Sequence, residues 1–449
     1  MNNDDACSHT NAHVHARMSE EIPDSKVADS IDTVRDVNAD PTTSSIVTDG
    51  GTSFTTHHNV FDVQPGLTDG LDDAQTLLAD LVSIPSTSGE ESAAAERLCR
   101  FFESHGRDAW IDSVGNVRAP ADDSVLLTSH IDTVPGDVPV KIENGVLWGR
   151  GSVDATGPLA AMAVAAVETG VSFAGVVREE TTSAGAWHLI ENRTPPEIVI
   201  NGEPSGWDGI TLGYRGFLSG TYVATSELGH SSRPEDNAIQ SAVNWWSSVA
   251  EFFESEGTHN TDGVFETVTT KPVAFDGGPT EDGLVVESTV DVQFRVPPQY
   301  TIEDIREVAE GELSDGSVHW KKPIPPVMKS PRTDVARAFR VAIRSAGGEP
   351  RLLRKTGTSD MNIFSGAWDC PMATYGPGDS DLDHAPNEHL DLAEYDSATS
   401  VLVDVCNRLT DSETKTSTVT DPDMDSETGR DQIKSRSNHR DADPEPTKA

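Results

Sequence analysis

Cysteine is scarce: Cys7, Cys99, Cys370 and Cys406 are four residues in 449, with no spacing suited to a metal site or a disulfide framework. The expectation is reduced, structural thiols in a cytoplasmic chain. Long apolar runs are also lacking. None approaches the ~20 residues that a membrane span needs, and the opening residues do not read as a signal peptide, so none is expected. Basic residues are few: 33 Lys and Arg stand against 75 Asp and Glu, for a formal net charge of −42. That balance argues against nucleic acid as a partner, as the lack of a long apolar run argues against the membrane. With a hydrophobic content of 35%, enough for a core, it suggests a surface adapted to concentrated salt. No internal repeat is visible.

The ends differ from the middle. Residues 1–70 carry 12 acidic and 3 basic residues, and residues 411–449 carry 10 and 6, with few large apolar side chains. Both are expected to be disordered tails. Between them, helical spacing over 74–84 and 90–105 precedes alternating short strands and helices. Strands are expected at 108–111, 124–129, 171–178 and 197–201, with helices at 157–170 and 186–192. This predicts an α/β fold with a mixed sheet flanked by helices. From about 210 the order changes to strand 212–225, helix 237–253, strands 265–275 and 283–296, helix 302–313 and strand 317–321. That is a ferredoxin-like βαββαβ unit. A Pro-rich stretch over 323–331 reads as a hinge, after which helix–strand alternation resumes. The expected plan is a catalytic domain in two segments, 71–209 and 325–410, with 210–324 inserted between them.

The chemistry starts at Thr-Ser-His130-Ile-Asp132, where a buried strand ends in a histidine. A His there is placed to bind a metal, and an Asp two residues on can orient it. Asp154 lies before a helix rich in small residues, Glu179 and Glu180 follow the strand over 171–178, Glu203 follows that over 197–201, and His384 lies beyond 372–375. Singly, each has an ordinary reading as a cap, a solvated loop acid or a surface His. Together they sit at or beyond the carboxyl ends of strands, which converge on one crevice in an open α/β sheet. Two His and three carboxylates can hold two zinc-like ions if one carboxylate bridges. A further carboxylate must then carry the proton from water to the leaving nitrogen.

The order His-x-Asp, Asp, Glu-Glu, Glu, His, with a domain inserted after the fourth motif, resembles the M20 family of di-zinc metallopeptidases and deacylases. The resemblance covers about residues 72–410. It implies a Zn-peptidase-like catalytic domain and a lid that forms a homodimer. It implies that His130 and Glu203 hold one metal and Glu180 and His384 the other, with Asp154 bridging. Glu179 would be the general base, and Asp132 would orient His130. His230, in Gly-His-Ser-Ser, matches a lid histidine that steadies the oxyanion in the neighbouring subunit. Arg295 matches a lid arginine for a substrate carboxylate, and Gly357, Thr358 and Ser359 match a loop lining the pocket. An Asn that some members carry in the lid is missing here. Zinc is the first expectation for the ions, with cobalt or manganese able to replace it.

Three stretches, 202–216, 355–362 (opening at Lys355, also assigned to the substrate pocket) and 375–384, are similar to the hydrolases of the amino-group carrier protein. These release lysine or ornithine from the C-terminal glutamate of a small acidic carrier in lysine and arginine biosynthesis. Independently, residues 321–355 contain ten Lys or Arg and two acids, a local basic patch suited to an acidic partner. The rival readings are a small-molecule deacylase, acting on N-acetylornithine or N-succinyl-diaminopimelate, and a binding protein that has kept the fold without activity. Lysine and ornithine differ by one methylene, and the sequence does not choose between them.

Overall fold

The computed structural model describes residues 66–230, 232–257 and 263–411. The expected tails lie almost wholly outside the described residues. Helices α1 (Asp73–Val82) and α2 (Ser92–Ser104) come first, followed by strands β1 (Trp110–Ile111), β2 (Val117–Ala119), β3 (Asp122–His130), β4 (Lys141–Glu143) and β5 (Val146–Trp148). Then come α3 (Thr156–Thr169), β6 (Val171–Val176), α4 (Ala184–Glu191), β7 (Val199–Gly202) and β8 (Gly209–Tyr214). The middle of the chain supplies β9 (Gly216–Glu227), α5 (Ala238–Gly257), β10 (Thr269–Pro279), β11 (Val285–Val296), α6 (Ile302–Gly311) and β12 (Ser317–Trp320). The chain continues with β13 (Val327–Met328), α7 (Asp334–Ser345), β14 (Arg351–Lys355), α8 (Asp360–Ala367), β15 (Met372–Thr374), β16 (His389–Asp391) and α9 (Leu392–Thr410).

The large sheet runs β1-β2-β6-β3-β7-β15-β8-β13, with β14 also on β8. Its centre is parallel: β3 pairs with β6 and β7, and β7 with β15. Strands covered on both faces read as continuous apolar runs, and β3 is buried from Val125 to His130. Helix α3 is buried almost all round, which explains its Ala and Gly content. A Cβ at Gly157 would lie 2.5 Å from the Ser152 carbonyl oxygen, so only glycine allows that approach. One core gathers α1, α2, α3, α7 and α9 around residues such as Phe102, Leu159, Phe339 and Tyr395. Another, with Phe364, Trp368 and Leu189, includes α4 and α8.

The second sheet is antiparallel, ordered β10-β11-β9-β12. Strands β9 and β11 alternate between buried and more exposed residues, as expected of a sheet covered on one face. Helices α5 and α6 supply the cover, giving a separate core around Trp245, Phe294 and Ile305. Trp245 stacks on Tyr222 with ring centroids 4.6 Å apart, and its indole N–H donates to the Ala309 carbonyl at 2.7 Å. Trp245→Ala should cost about 3–5 kcal/mol, read as a shifted denaturant midpoint with an unchanged slope.

Two expectations change. The single strand over 212–225 is two strands in different sheets, β8 and β9. The chain changes sheets at Arg215, a buried residue whose guanidinium donates to the carbonyls of Thr356 and Val264 and to Thr269 Oγ1. Apolar alternation is silent about such a transfer, because both halves are extended. The Pro-rich hinge also runs alongside the outgoing chain: Phe217 and Ile324 bridge, and β13 pairs with β8. Strand β2, the helix α8 and the small sheet β16-β5-β4 were not anticipated.

Candidate metal centre and active site

Strands β3, β6, β7 and β15 are neighbours, and their carboxyl ends share one edge of the sheet. His130 closes β3, Glu179 and Glu180 follow β6, Glu203 follows β7 and His384 lies beyond β15. Asp154 comes from elsewhere, the loop between β5 and α3.

Asp154 sits between the two histidines. Its Oδ1 is 3.2 Å from His130 Nε2 and its Oδ2 is 3.1 Å from His384 Nε2. His384 Nε2 also lies 3.1 Å from Glu180 Oε1, and His384 holds φ +61°, a left-handed backbone uncommon outside glycine. Ligand atoms of His130, Asp154 and Glu180 all lie within 4.8 Å of one another. The His130 ring is set from behind, its Nδ1 2.8 Å from the Asp132 carbonyl oxygen. The buried Asp132 carboxylate accepts the Glu179 amide at 2.9 Å, the Glu180 amide at 3.1 Å and the Ser88 hydroxyl at 2.6 Å. One aspartate therefore fixes both the histidine and the Glu179–Glu180 turn.

The electrostatics are those of a crowd of acids. Burial alone would depress the His130 imidazolium, but its bond to Asp154 and the charges of Glu203, Asp154 and Glu179 hold it well above its ordinary value. The bonds to Asp154 and Glu180 push His384 up to about 10. Burial would raise Asp154, yet its two histidine partners hold it well below the carboxylate range. Burial drives Glu179 well up, opposed by His130 and reinforced by Asp360, Glu203 and Glu180. Burial likewise lifts Glu203 to about 8 and Asp360 to about 7. Carboxylates packed this way lack positive charge, and two imidazoles with three carboxylates suit a pair of borderline divalent cations. The residues fit such a pair.

Arg295 lies on β11, stacked 4.7 Å over Phe217, with Nη1 3.4 Å from Thr358 Oγ1. It couples to Glu179 through charge, so the second sheet reaches the rim of the site. The Lys355 ammonium donates to the Pro204 carbonyl beside Glu203. Gly357 and Thr358 form the loop before α8, and Ser359 is the residue that caps that helix. His230 stands apart: it is exposed beyond β9, with Nδ1 2.8 Å from Ser232 Oγ. The pocket-loop match runs on through Asp360, but that this acid is buried, with Oδ1 unpartnered, was not foreseen, and the pair Arg150–Glu388 was missed. The signals were faint: an Asp inside a turn-like Gly-Thr-Ser-Asp, an Arg between two glycines, and a Glu four residues past His384.

Residues 126–408 match the profile of peptidase family M20/M25/M40. A protein of Thermococcus kodakarensis, provisionally named a LysW-lysine/LysW-ornithine hydrolase, is 40% identical over 74% of this chain and 91% of its own. The LysW-lysine hydrolase of Deinococcus radiodurans is 38% identical over 75% and 97%. Among solved structures, an M20 family metallo-carboxypeptidase from Sulfolobus solfataricus superposes with a TM-score of 0.61 at 20% identity, covering 76% of this chain and 99% of that one. A dinuclear metal binding M20 peptidase from Bacillus subtilis gives 0.54 at 13% identity, covering 74% and 96%. At these identities the superpositions speak for the fold.

Proposed function

The chain belongs to peptidase family M20/M25/M40, and from that premise we propose that it is a two-metal amidohydrolase releasing lysine or ornithine from the C-terminal glutamate of a small acidic carrier protein. The observation that carries this reading is Asp154 turning one oxygen to each histidine, in a chain 38–40% identical to relatives named for that reaction.

In this reading His130 and Glu203 would hold one ion and Glu180 and His384 the other, with Asp154 shared between them. Zinc is the resident metal, with cobalt as a substitute, and the working compartment is a salt-rich cytoplasm. When bound, the ions would supply Lewis acidity toward an amide carbonyl and toward water. Asp132 holds His130 and the Glu179–Glu180 turn in place. Glu179 takes a proton from the attacking water. It gives that proton to the leaving amine as the C–N bond breaks. Arg295 pairs with a carboxylate of the substrate, and Lys355, Gly357, Thr358 and Ser359 line its pocket. His230 is exposed just past the end of β9, free to face a second copy. It steadies the oxyanion of a second copy, in a dimer joined through the sheet of β9 to β12.

The carrier would meet the basic stretch over 321–355. Several of its cations are held internally: Lys322 lies over Trp187, Arg351 bonds Asp208 and Arg354 bonds Glu266. Helix α7 presents Arg337 and Arg344 outward, with Arg340 half-buried between them. Changing Arg337, Arg340 and Arg344 to Glu should lower kcat/KM for carrier-linked lysine roughly 10-fold or more at low salt. N-acetylornithine turnover should hold. Equal loss on both substrates removes the docking surface, and preference of the unaltered enzyme for N-acetylornithine removes the carrier altogether.

A further inference from the structure

The proposed metal-binding residues His130, Asp154 and His384 come from the end of β3 and from two loops, and one part-buried ion pair links the segments around them. Glu388 is fully buried, and its Oε2 accepts Arg150 Nη1 at 2.7 Å. Its Oε1 accepts the amide N–H of Val153 at 2.9 Å and of Asp154 at 3.1 Å. The Glu388 carbonyl accepts the Gly149 amide at 3.3 Å. Arg150 in turn donates from Nε to the Gly136 carbonyl at 3.2 Å, on the loop that follows His130 and Asp132. A Cβ at Gly136 would lie 2.9 Å from Arg150 Nη2, so glycine lets the guanidinium seat there.

We infer that Glu388 is a positioning residue for the metal pair, holding the Asp154 backbone so that each carboxylate oxygen keeps facing its own histidine. A buried carboxylate persists only with charge and hydrogen bonds around it, and here every such bond comes from the segment that delivers Asp154. The Asp154 amide is two bonds from its Cβ, so fixing the amide limits where the carboxylate can swing. Glu388 also follows His384 by four residues, and the same contact fixes the distance between the two loops. Partners that orient metal ligands from outside the coordination sphere are typically worth 10–100-fold in metal affinity.

The inference rests on Asp154 being a metal ligand, and the test separates the two. Purified enzyme is stripped with chelator and titrated with Co2+ and with Zn2+, following cobalt absorption, chelator competition and metal content. Two ions per wild-type chain uphold the ligand reading; none removes it together with the inference. Glu388→Gln keeps the size and one acceptor but loses the charge. It should bind metal roughly 10–100-fold more weakly, with a changed cobalt spectrum and a metal-free melting temperature close to wild type. Glu388→Asp should recover part of the affinity. Arg150→Lys, which keeps the charge, should show the milder form of the same defect and serves if Glu388→Gln does not fold. Wild-type metal affinity and cobalt spectrum in a folded Glu388→Gln or Arg150→Lys protein would overturn the proposal. So would a fall in metal-free melting temperature with metal affinity unchanged, which is the mark of a purely structural pair.

Discussion

Glu179→Gln will keep both metal ions and lose turnover by about 10²–10⁴-fold, the usual worth of a positioned general base. Glutamine matches glutamate in size, and the backbone at 179 is held from outside the side chain, by its amide donating to Asp132 at 2.9 Å. The contacts that join Asp154, His130, His384 and Glu180 do not involve the Glu179 side chain. On the proposed mechanism the substitution therefore removes one capacity, taking a proton from water and passing it on. Metal content and kcat on carrier-linked lysine, measured on the same preparation, decide the matter. Near-normal turnover with two ions bound would move the base to another residue, and the buried Asp360 would be the first to test.

Asp154→Asn should act on the metals themselves. An aspartate offers two anionic oxygens, and here they face opposite ways, one at 3.2 Å from His130 and one at 3.1 Å from His384. Asparagine replaces one of them with an amide nitrogen that cannot ligate. Metal content should fall from two ions per chain to one or fewer. Activity should drop on the order of 10³-fold or more, as expected when several kcal/mol of transition-state stabilisation are lost. Chelation of the wild-type enzyme should reach the same floor, with recovery when zinc or cobalt is returned. Two tightly held ions in the Asn variant would mean that another group spans the pair.

The parts of this protein visible in its sequence are those governed by local rules. Helix α7 has apolar residues at helical spacing and a Thr333 cap whose hydroxyl accepts the Ala336 amide. Strand β3 announces itself as an unbroken buried run ending in His130. What stayed hidden depends on contacts between distant segments. The change of sheet at Arg215 is set by carbonyls at 264 and 356. Helix α8 opens in a Gly-Thr-Ser-Asp stretch typical of turns, and its cap is recognisable only once Asn362 is seen to accept the Ser359 amide. In the site, His130, Asp154 and Glu180, whose ligand atoms lie together, could be picked out from residue identity and order. The role of Glu388 could not, because its partners lie in a loop far back in the chain. Nor could the family resemblance say where His230 would sit within a single subunit.

Helix α9 is the last element of the described chain, and it packs against α3, the helix that begins directly after Asp154. Tyr395, Leu402, Val405 and Cys406 are buried in that contact region. During synthesis, then, the carboxylates of the first half emerge long before His384 and α9 are available to complete their surroundings. Until those final residues leave the ribosome, the nascent chain holds mutually repelling acids with neither second imidazole nor supporting helix. A truncation just short of α9 would leave every residue proposed for the centre in the chain while removing the helix that packs against α3.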